Sequence, residues 1–381
     1  MVRVSFFNMK ILQIVSSNKW SGAVEPTARL ALDLKKIGHS VDLLCQKPNP
    51  DLEKWLKILG LEADFSLSLD TKFSPLALIK DVLKLRRIIK DGGYDIIHSH
   101  LSQDHLLLSL ATIGLSPRPL IVRTFHNMRS TRKRPLRQLI LSRSTDAVIT
   151  VSEGHKRELL KNFCFDSHLI KVVRGGVDLN LFNPAKDGQK IRAEFGIGDN
   201  IFLIGIVSRL VSNRRHSDLI EAVAKIADKV KTLRLIIVGR GEYMSPLKDM
   251  VEERGMQDIV IFSGYKGADL PETYNAMDAK VLLTEGNDGT CRAALEAMAS
   301  GKPLVVYDYG ALPDIVEDGV TGYIIPNKEI DGLAKAILKL AFDRESAKNM
   351  GEKGRKRAEQ YFDSAQVATE TERFYTEILP L

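Results

Sequence analysis

The chain of 381 residues is poor in cysteine: Cys45, Cys164 and Cys291 stand far apart, with no C-x-x-C or zinc-type spacing among them. An odd, scattered set argues against a disulfide framework and leaves Cys291 reading as a small buried residue rather than a reactive one. Long apolar runs are missing as well. None is long enough to span a bilayer, and the opening MVRVSFFNMK lacks the extended apolar core of a signal peptide. A cytoplasmic protein is therefore predicted. No G-x-G-x-x-G follows the first apolar run, and no G-x-x-x-x-G-K-[ST] occurs anywhere, which argues against a dehydrogenase or a P-loop NTPase. The basic runs lack interleaved aromatics, which argues against nucleic acid.

What is present is an ordinary globular composition, 44% hydrophobic and 27% charged, over a length that exceeds what one core supports, so two domains are expected. The net charge of +7 and isoelectric point near 9.1 suit an anionic partner. Charge alone does not choose between nucleotide phosphate and an acidic membrane surface.

From ILQIVSS (11–17) onward, short apolar runs alternate with amphipathic stretches: ILQIVSS, the 24–37 stretch, SVDLL, PLALIKDVLKLRRIIKDGG, DIIHSH, QDHLLLSLATIG, LIVRTFH, PLRQLILSR, AVITVS, EGHKRELLKNF and IKVVRGG. Repeated strand–helix alternation at these lengths predicts a parallel sheet covered on both faces. VDLNLFNPAKDGQ (177–189) breaks the pattern with turn residues and marks a domain boundary. Alternation then restarts through IFLIGIVS, RLIIVGR, IVIFSG, KVLLT, PLVVYD and YIIP, and a helical tract closes the chain from about Glu329 to Ile378. The predicted fold class is α/β, with two Rossmann-like domains over residues 1–178 and 179–363. Two such domains in series predict a ligand between the carboxyl ends of their sheets.

The stretch 284–301, TEGNDGTCRAALEAMASG, reads as a strand end, an acidic glycine-rich turn and a helix. The unpaired N–H groups at such a helix start favour a phosphate oxygen, while Asp288 and Glu296 supply carboxylates for hydroxyls. A diphosphate between two polyhydroxylated rings, a nucleotide sugar, fits that arrangement. The same residues also read as an ordinary turn followed by an Arg292–Glu296 surface pair. Arg209, Arg214 and Arg215 follow the strand IFLIGIVS, where guanidinium forks can hold diphosphate oxygens. His126 ends another strand, and Gly22 lies in the loop after the first, where backbone can approach a ligand. His98, His100 and His105 cluster in sequence, yet no further ligand spacing completes a set, so no metal is predicted. The segment 128–144 gathers Arg129, Arg132, Lys133, Arg134 and Arg137 beside an apolar LILS face. It reads as a surface for a phosphorylated acceptor or anionic lipid, or as a solvated basic helix.

These motifs, in this order, resemble the retaining nucleotide-sugar glycosyltransferases of family 4, which have the GT-B fold. The resemblance runs from the Gly22 loop and GHSVDLL through TFHN, VSEGHKREL, RGGVDLNLFNP, SRLVSNRRHSDLIEA and LIIVGRGE to DGTCRAALEAMASGKPLVVYDYGALPDIVEDGVTGYIIP. The last segment resembles the E-x7-E signature of the family, with Asp288 in place of the first Glu. The resemblance implies that Glu296 binds the donor ribose and that Asp288, Gly289 and Thr290 face the transferred sugar and distal phosphate. It also implies that Arg209 binds diphosphate, with Arg214-Arg215 where Lys-Gly is usual, and that Gly22 packs near that diphosphate. His126 would approach the sugar, and the base would lie between Gly239 and Tyr265. The final helix, 364–381, is expected to return to the first domain.

The implied function is retaining transfer of a hexose-like sugar from a UDP-, GDP- or ADP-sugar to a saccharide or lipid-linked saccharide. Cell-envelope polysaccharide or lipopolysaccharide synthesis is the expected setting, with no cofactor, no essential metal and peripheral contact with an anionic membrane. An epimerase or hydrolase of the same fold, or a non-catalytic membrane-associated sugar-nucleotide-binding protein, remains the alternative.

Overall fold

The computed structural model describes residues 8–18, 23–46, 50–68, 75–126, 135–163, 165–284 and 291–379, except the side chains at 51, 135–137 and 140. These residues form two compact units. One takes in the chain up to Gly175 together with Ser364 onward; the other comprises Gly176–Gly286 and Cys291–Asp363.

The first unit runs β1 (Lys10–Val15), α1 (Val24–Lys36), β2 (Ser40–Cys45), α2 (Pro50–Ile58), α3 (Pro75–Gly92), β3 (Ile96–Ser99), α4 (Ser102–Ala111), β4 (Leu120–Phe125), α5 (Pro135–Ser144), β5 (Ala147–Thr150), α6 (Glu153–Asn162) and β6 (Ile170–Val172). The second runs α7 (Gln189–Glu194), β7 (Phe202–Val207), α8 (His216–Ala224), β8 (Leu233–Val238), α9 (Met244–Glu253), β9 (Val260–Gly264), α10 (Leu270–Ala276) and β10 (Ala279–Leu282). It continues with α11 (Arg292–Ala299), β11 (Leu304–Tyr307), α12 (Leu312–Ile315), β12 (Gly322–Ile325), α13 (Ile330–Phe342) and α14 (Arg344–Tyr361); α15 (Ser364–Ile378) then rejoins the first unit.

Local chemistry explains these elements. In α1, Val24, Ala28, Ala31 and Leu34 recur at helical spacing and are buried, with Glu25 in the first turn and Lys35 and Lys36 in the last, signs that suit the helix dipole. Gly38, at φ +106°, lets the chain turn from α1 into β2. Ser152 caps α6 by accepting from the His155 N–H, and Asp343 caps α14 by accepting from the Ser346 N–H.

Each unit holds one parallel sheet of six strands, ordered β2-β1-β3-β4-β5-β6 and β12-β11-β10-β7-β8-β9. Strands such as β1, β7 and β10 are buried along most of their length because helices cover both faces. In the first unit Leu12, Ile14, Ile97 and Ile121 point to one face, packed with Leu85 and Ile89 of α3 and Leu107 and Leu108 of α4. Ile11, Ile96 and Val122 point to the other, packed with Leu30 and Leu34 of α1 and Phe374 and Tyr375 of α15. Cys45 and Cys291 are buried free thiols; Cys164 lies outside the described residues. Among the described residues no helix is long and apolar enough to cross a membrane.

Candidate functional site

The second sheet changes winding direction between β7 and β10, since the chain proceeds to β8 and β9 on one side and to β11 and β12 on the other. The crevice beyond the carboxyl ends of such a strand pair is where open α/β sheets bind ligands. The predicted arginines follow β7: Arg209 is exposed, and Arg214 and Arg215 are half-buried. Arg214 Nη1 donates to Thr284 Oγ1 at 3.5 Å, and Thr284 follows β10, so this contact joins the two walls of the crevice.

Gly239 shapes the same loop. Its φ is +148°, and a Cβ there would collide with the Ser208 carbonyl oxygen. The close approach lets Ser208 N–H donate to Val238 O at 3.1 Å and Leu210 N–H to Arg240 O at 3.1 Å, which fixes the backbone on either side of Arg209. Tyr265 is 62% exposed, with the Arg240 guanidinium 4.8 Å from its ring centroid. Arg215 holds a left-handed backbone (φ 62°, ψ 29°) at the start of α8, and its guanidinium lies 3.7 Å from Asp218 Oδ2. Glycine is at ease in that conformation and a side chain costs roughly 1–2 kcal/mol, which gives the Arg-for-Gly difference a backbone consequence.

Glu296 corrects one sequence-based alternative. It does pair with Arg292, whose Nε donates to Oε1 at 2.7 Å, but not as a surface pair: the carboxylate is 3% exposed. Its Oε2 accepts from the Tyr274 hydroxyl at 2.8 Å, and burial holds that phenol protonated, its pKa pushed well above the ordinary value. Each carboxylate oxygen keeps a lone pair, so Glu296 can still accept from two adjacent hydroxyls. Beneath it, Lys280 is fully buried on β10; its Nζ donates to Val281 O at 2.9 Å, and desolvation lowers its pKa to about 7 against the pull of Glu296. His216 Nε2 lies 3.0 Å from Ser208 Oγ, and burial beside Lys280 and Arg214 lowers its pKa to about 4.

Tyr274, Lys280 and His216 were not singled out by sequence. A lysine opening an apolar strand was the available signal for Lys280; Tyr274 carried none, because only packing of α10 on α11 brings it to Glu296.

In the first unit His126 lies just past β4, 6% exposed, with its Nε2 3.0 Å from His100 Nδ1. The His98 and His100 rings lie together, their centroids 4.2 Å apart, but His105 does not join them. His98 contacts Tyr375 and Thr124, while His105 Nε2 lies 2.8 Å from Thr145 Oγ1. Among the described residues no group of three or more His, Cys, Asp or Glu is arranged to hold a metal. Between α4 and α5 a groove of about 540 Å³ is lined by Leu106, Leu110, Ile113 and Leu139, with Arg118 and Arg143 on its wall. Gly22, Asp288, Gly289, Thr290, Arg129, Arg132, Lys133 and Arg134 lie outside the described residues; Arg137 falls on α5 with its side chain outside that set.

Both units match known families. Residues 20–181 match Glycosyltransferase Family 4, and residues 187–357 match Glycosyl transferases group 1. The N-acetyl-alpha-D-glucosaminyl L-malate synthase of Bacillus anthracis is 27% identical over 305 residues, covering 78% of this chain and 78% of that protein. The UDP-Gal:alpha-D-GlcNAc-diphosphoundecaprenol alpha-1,3-galactosyltransferase of Escherichia coli is 25% identical over 316 residues, covering 80% of each. The crystal structure of Anabaena HepE with UDP and glucose superposes with a TM-score of 0.82 at 21% identity, over 97% of this chain and 100% of that one. The chain therefore belongs to the nucleotide-sugar glycosyltransferases of GT-B fold, with a family 4 N-terminal half and a group 1 C-terminal half.

Proposed function

We propose that the chain transfers a hexose-like sugar, with retention of anomeric configuration, from a nucleoside diphosphate sugar to a saccharide or lipid-linked saccharide hydroxyl. The observation that carries this is the buried Glu296 carboxylate, oriented by Arg292 and Tyr274 in the unit whose switch point carries Arg209 and Arg214. Glu296 would accept from the ribose hydroxyls, and the base would lie by Gly239 and Tyr265. Asp288, with the Gly289 and Thr290 amides, would face the sugar and distal phosphate, and Gly22 would pack near the diphosphate. UDP is the first donor to test, because the E. coli relative takes UDP-Gal and the Anabaena structure contains UDP.

The costly event is breaking the anomeric C–O bond, which leaves negative charge on the departing diphosphate. Arg209 and Arg214 would stabilise that charge with guanidinium groups whose loop is already held in place, the arrangement in which electrostatic catalysis is strongest. The acceptor oxygen would bond to the anomeric carbon on the face the diphosphate leaves, and a diphosphate oxygen would take the acceptor proton. His126 and Asp288 would orient the sugar, Arg215 would add positive charge, and no step is assigned to a metal. The groove between α4 and α5, apolar with two arginines on its wall, supports a lipid-linked acceptor. A cytoplasmic enzyme of envelope polysaccharide synthesis, touching anionic lipid through segment 128–144, is the setting that suits this chemistry.

The test is incubation with UDP-, GDP- and ADP-hexoses and candidate acceptors, with the product anomer read by NMR. A product that keeps the donor configuration is expected. An inverted product overturns retention; free sugar or an epimerised nucleotide sugar, with no glycosylated acceptor, overturns transfer.

A further inference from the structure

The second unit buries a lysine that the donor chemistry above leaves without a task. In the register of the sheet Lys280 of β10 lies opposite Leu304 of β11 and Gly205 of β7, and Gly205 lies opposite Ile236 of β8. Residues in register share a face of the sheet, and along β10 that face returns two residues on, at Leu282. Leu282, Leu304 and Ile236 belong to the apolar cluster that also takes in Tyr274 of α10, Met277 just after it and Leu295 of α11. Gly205 keeps room in this layer, since a Cβ there would collide with the Met277 sulfur. Each of these neighbours on the sheet is apolar or glycine, yet the position between them is a lysine, 0% exposed.

Charge around Lys280 does not balance. Among the described residues its ammonium has one hydrogen-bond partner, the Val281 carbonyl oxygen at 2.9 Å, so two of its three N–H donors are unmet. Glu296 of α11 attracts it without forming an ion pair with it, and that carboxylate already holds Arg292 at 2.7 Å. Tyr274 of α10, on the other oxygen of Glu296, is neutral. Toward the crevice stand Arg214, after β7, and His216, which opens α8. His216 is kept uncharged by burial and then by Lys280 and Arg214, so both cations act at the same lip of the crevice. With Glu296 taken by Arg292, a charged Lys280 is a buried cation without an anion of its own among the described residues.

An ammonium in that position is disfavoured by desolvation, which brings its pKa down to about 7. An anion placed in the crevice reverses the balance, because nearby negative charge favours the charged amine. A diphosphate esterified at both ends carries such charge at both phosphates.

We propose that Lys280 is the proton-binding group of the donor site, losing its proton in the empty crevice and regaining it when the diphosphate of a nucleotide sugar arrives. The donor thus brings a proton in with it. That proton comes from solvent and goes to the Lys280 Nζ lone pair, and no bond to the donor forms or breaks. Lys280 is a positioning residue, acting through the field it adds beneath the site. The diphosphate as the arriving anion rests on the function proposed above. The pH dependence has a definite sign. Below about pH 7 the lysine is already charged and donor affinity is constant; above it each binding event draws a proton from water, and affinity falls about tenfold per pH unit.

The test is calorimetric titration of the full-length protein with UDP-, GDP- and ADP-hexoses at about pH 8, in buffers of low and of high ionisation enthalpy. Nucleotide sugars are the right probes because their doubly esterified diphosphate does not itself titrate there. The wild type is expected to take up close to one proton per donor bound, with a dissociation constant that rises about tenfold per pH unit from about pH 7 to 8.5. Lys280→Met fills the same apolar layer with an unbranched side chain. It is expected to bind the donor with no proton exchanged and with a dissociation constant that stays flat over that range. A binding heat independent of buffer in the wild type, or proton uptake that survives in Lys280→Met, would overturn the proposal; the first needs no variant to fold. Donor binding without proton uptake overturns the role of Lys280 alone, whereas no binding of any nucleotide sugar overturns the proposed function and this role with it.

Discussion

The Tyr274 hydroxyl donates to Glu296 Oε2 at 2.8 Å, a buried bond between a residue of α10 and one of α11. With Arg292 on the other oxygen, the carboxylate is held by two donors from different helices.

Removing one of them should therefore act on both stability and binding. Tyr274→Phe strips a donor from a buried carboxylate, and the loss is expected to lower unfolding free energy by about 1–3 kcal/mol. Nucleotide affinity should fall several-fold, because Glu296 loses one of its two orienting contacts. Urea titration and calorimetry on the same preparation check both; unchanged affinity at reduced stability would make the bond structural only.

Arg209 differs in that, among the described residues, only its backbone is held, by the Ser208 and Leu210 hydrogen bonds, while its side chain is exposed. If it stabilises charge on the departing diphosphate, Arg209→Ala should lower kcat by about 10²-fold or more, as loss of a preorganised transition-state contact does, with a much smaller change in donor affinity. Equal losses in the two would contradict the transition-state role.

Arg215 allows backbone strain to be separated from charge. Arg215→Ala removes the guanidinium but keeps a Cβ at φ 62°, whereas Arg215→Gly removes both. The glycine variant should be more stable than the alanine variant by about 1 kcal/mol. Thermal unfolding of the pair checks this, and a more stable alanine variant would refute strain at that position.

Acid should destabilise the fold through its buried histidines. His126, His155 and His216 are lowered to about 4 and His98 to about 3, all chiefly by burial. Below about pH 6.5 the unfolded chain takes up protons that the folded chain refuses, so stability falls as pH drops from there toward 4, by up to about 3 kcal/mol per histidine. Asp104 opposes with the other sign: burial raises its pKa to about 7, so its contribution grows on acidification. Several histidines against one carboxylate leave a net loss, measurable as a urea midpoint that falls between pH 6.5 and 4. A flat or rising midpoint would contradict the assignment.

Much of this was legible in the sequence. The apolar runs at 11–17, 202–207 and 279–283 are buried strands because alternation with helices leaves neither face of a parallel sheet wet. Arg209, Arg214 and Glu296 could be named as candidates because strand ends and the helices that follow them suit ligand chemistry. The helices α2 and α7 escaped notice, since PDLEKWLKI and QKIRAE are short and sit beside turn-rich segments. The environment of Glu296 was out of reach for a stronger reason. It depends on a contact between segments distant in sequence, Tyr274 with Glu296, which no local spacing encodes.

The central claim is the nucleoside diphosphate site on the second unit. Calorimetric titration of UDP, GDP and ADP, and of their sugar conjugates, into purified protein with and without magnesium tests it most directly. Tight binding of one of these nucleotides without metal, weakened in Arg209→Ala and more so in Glu296→Ala, is the predicted result. No binding of any nucleotide, or binding that Glu296→Ala leaves untouched, would contradict the site.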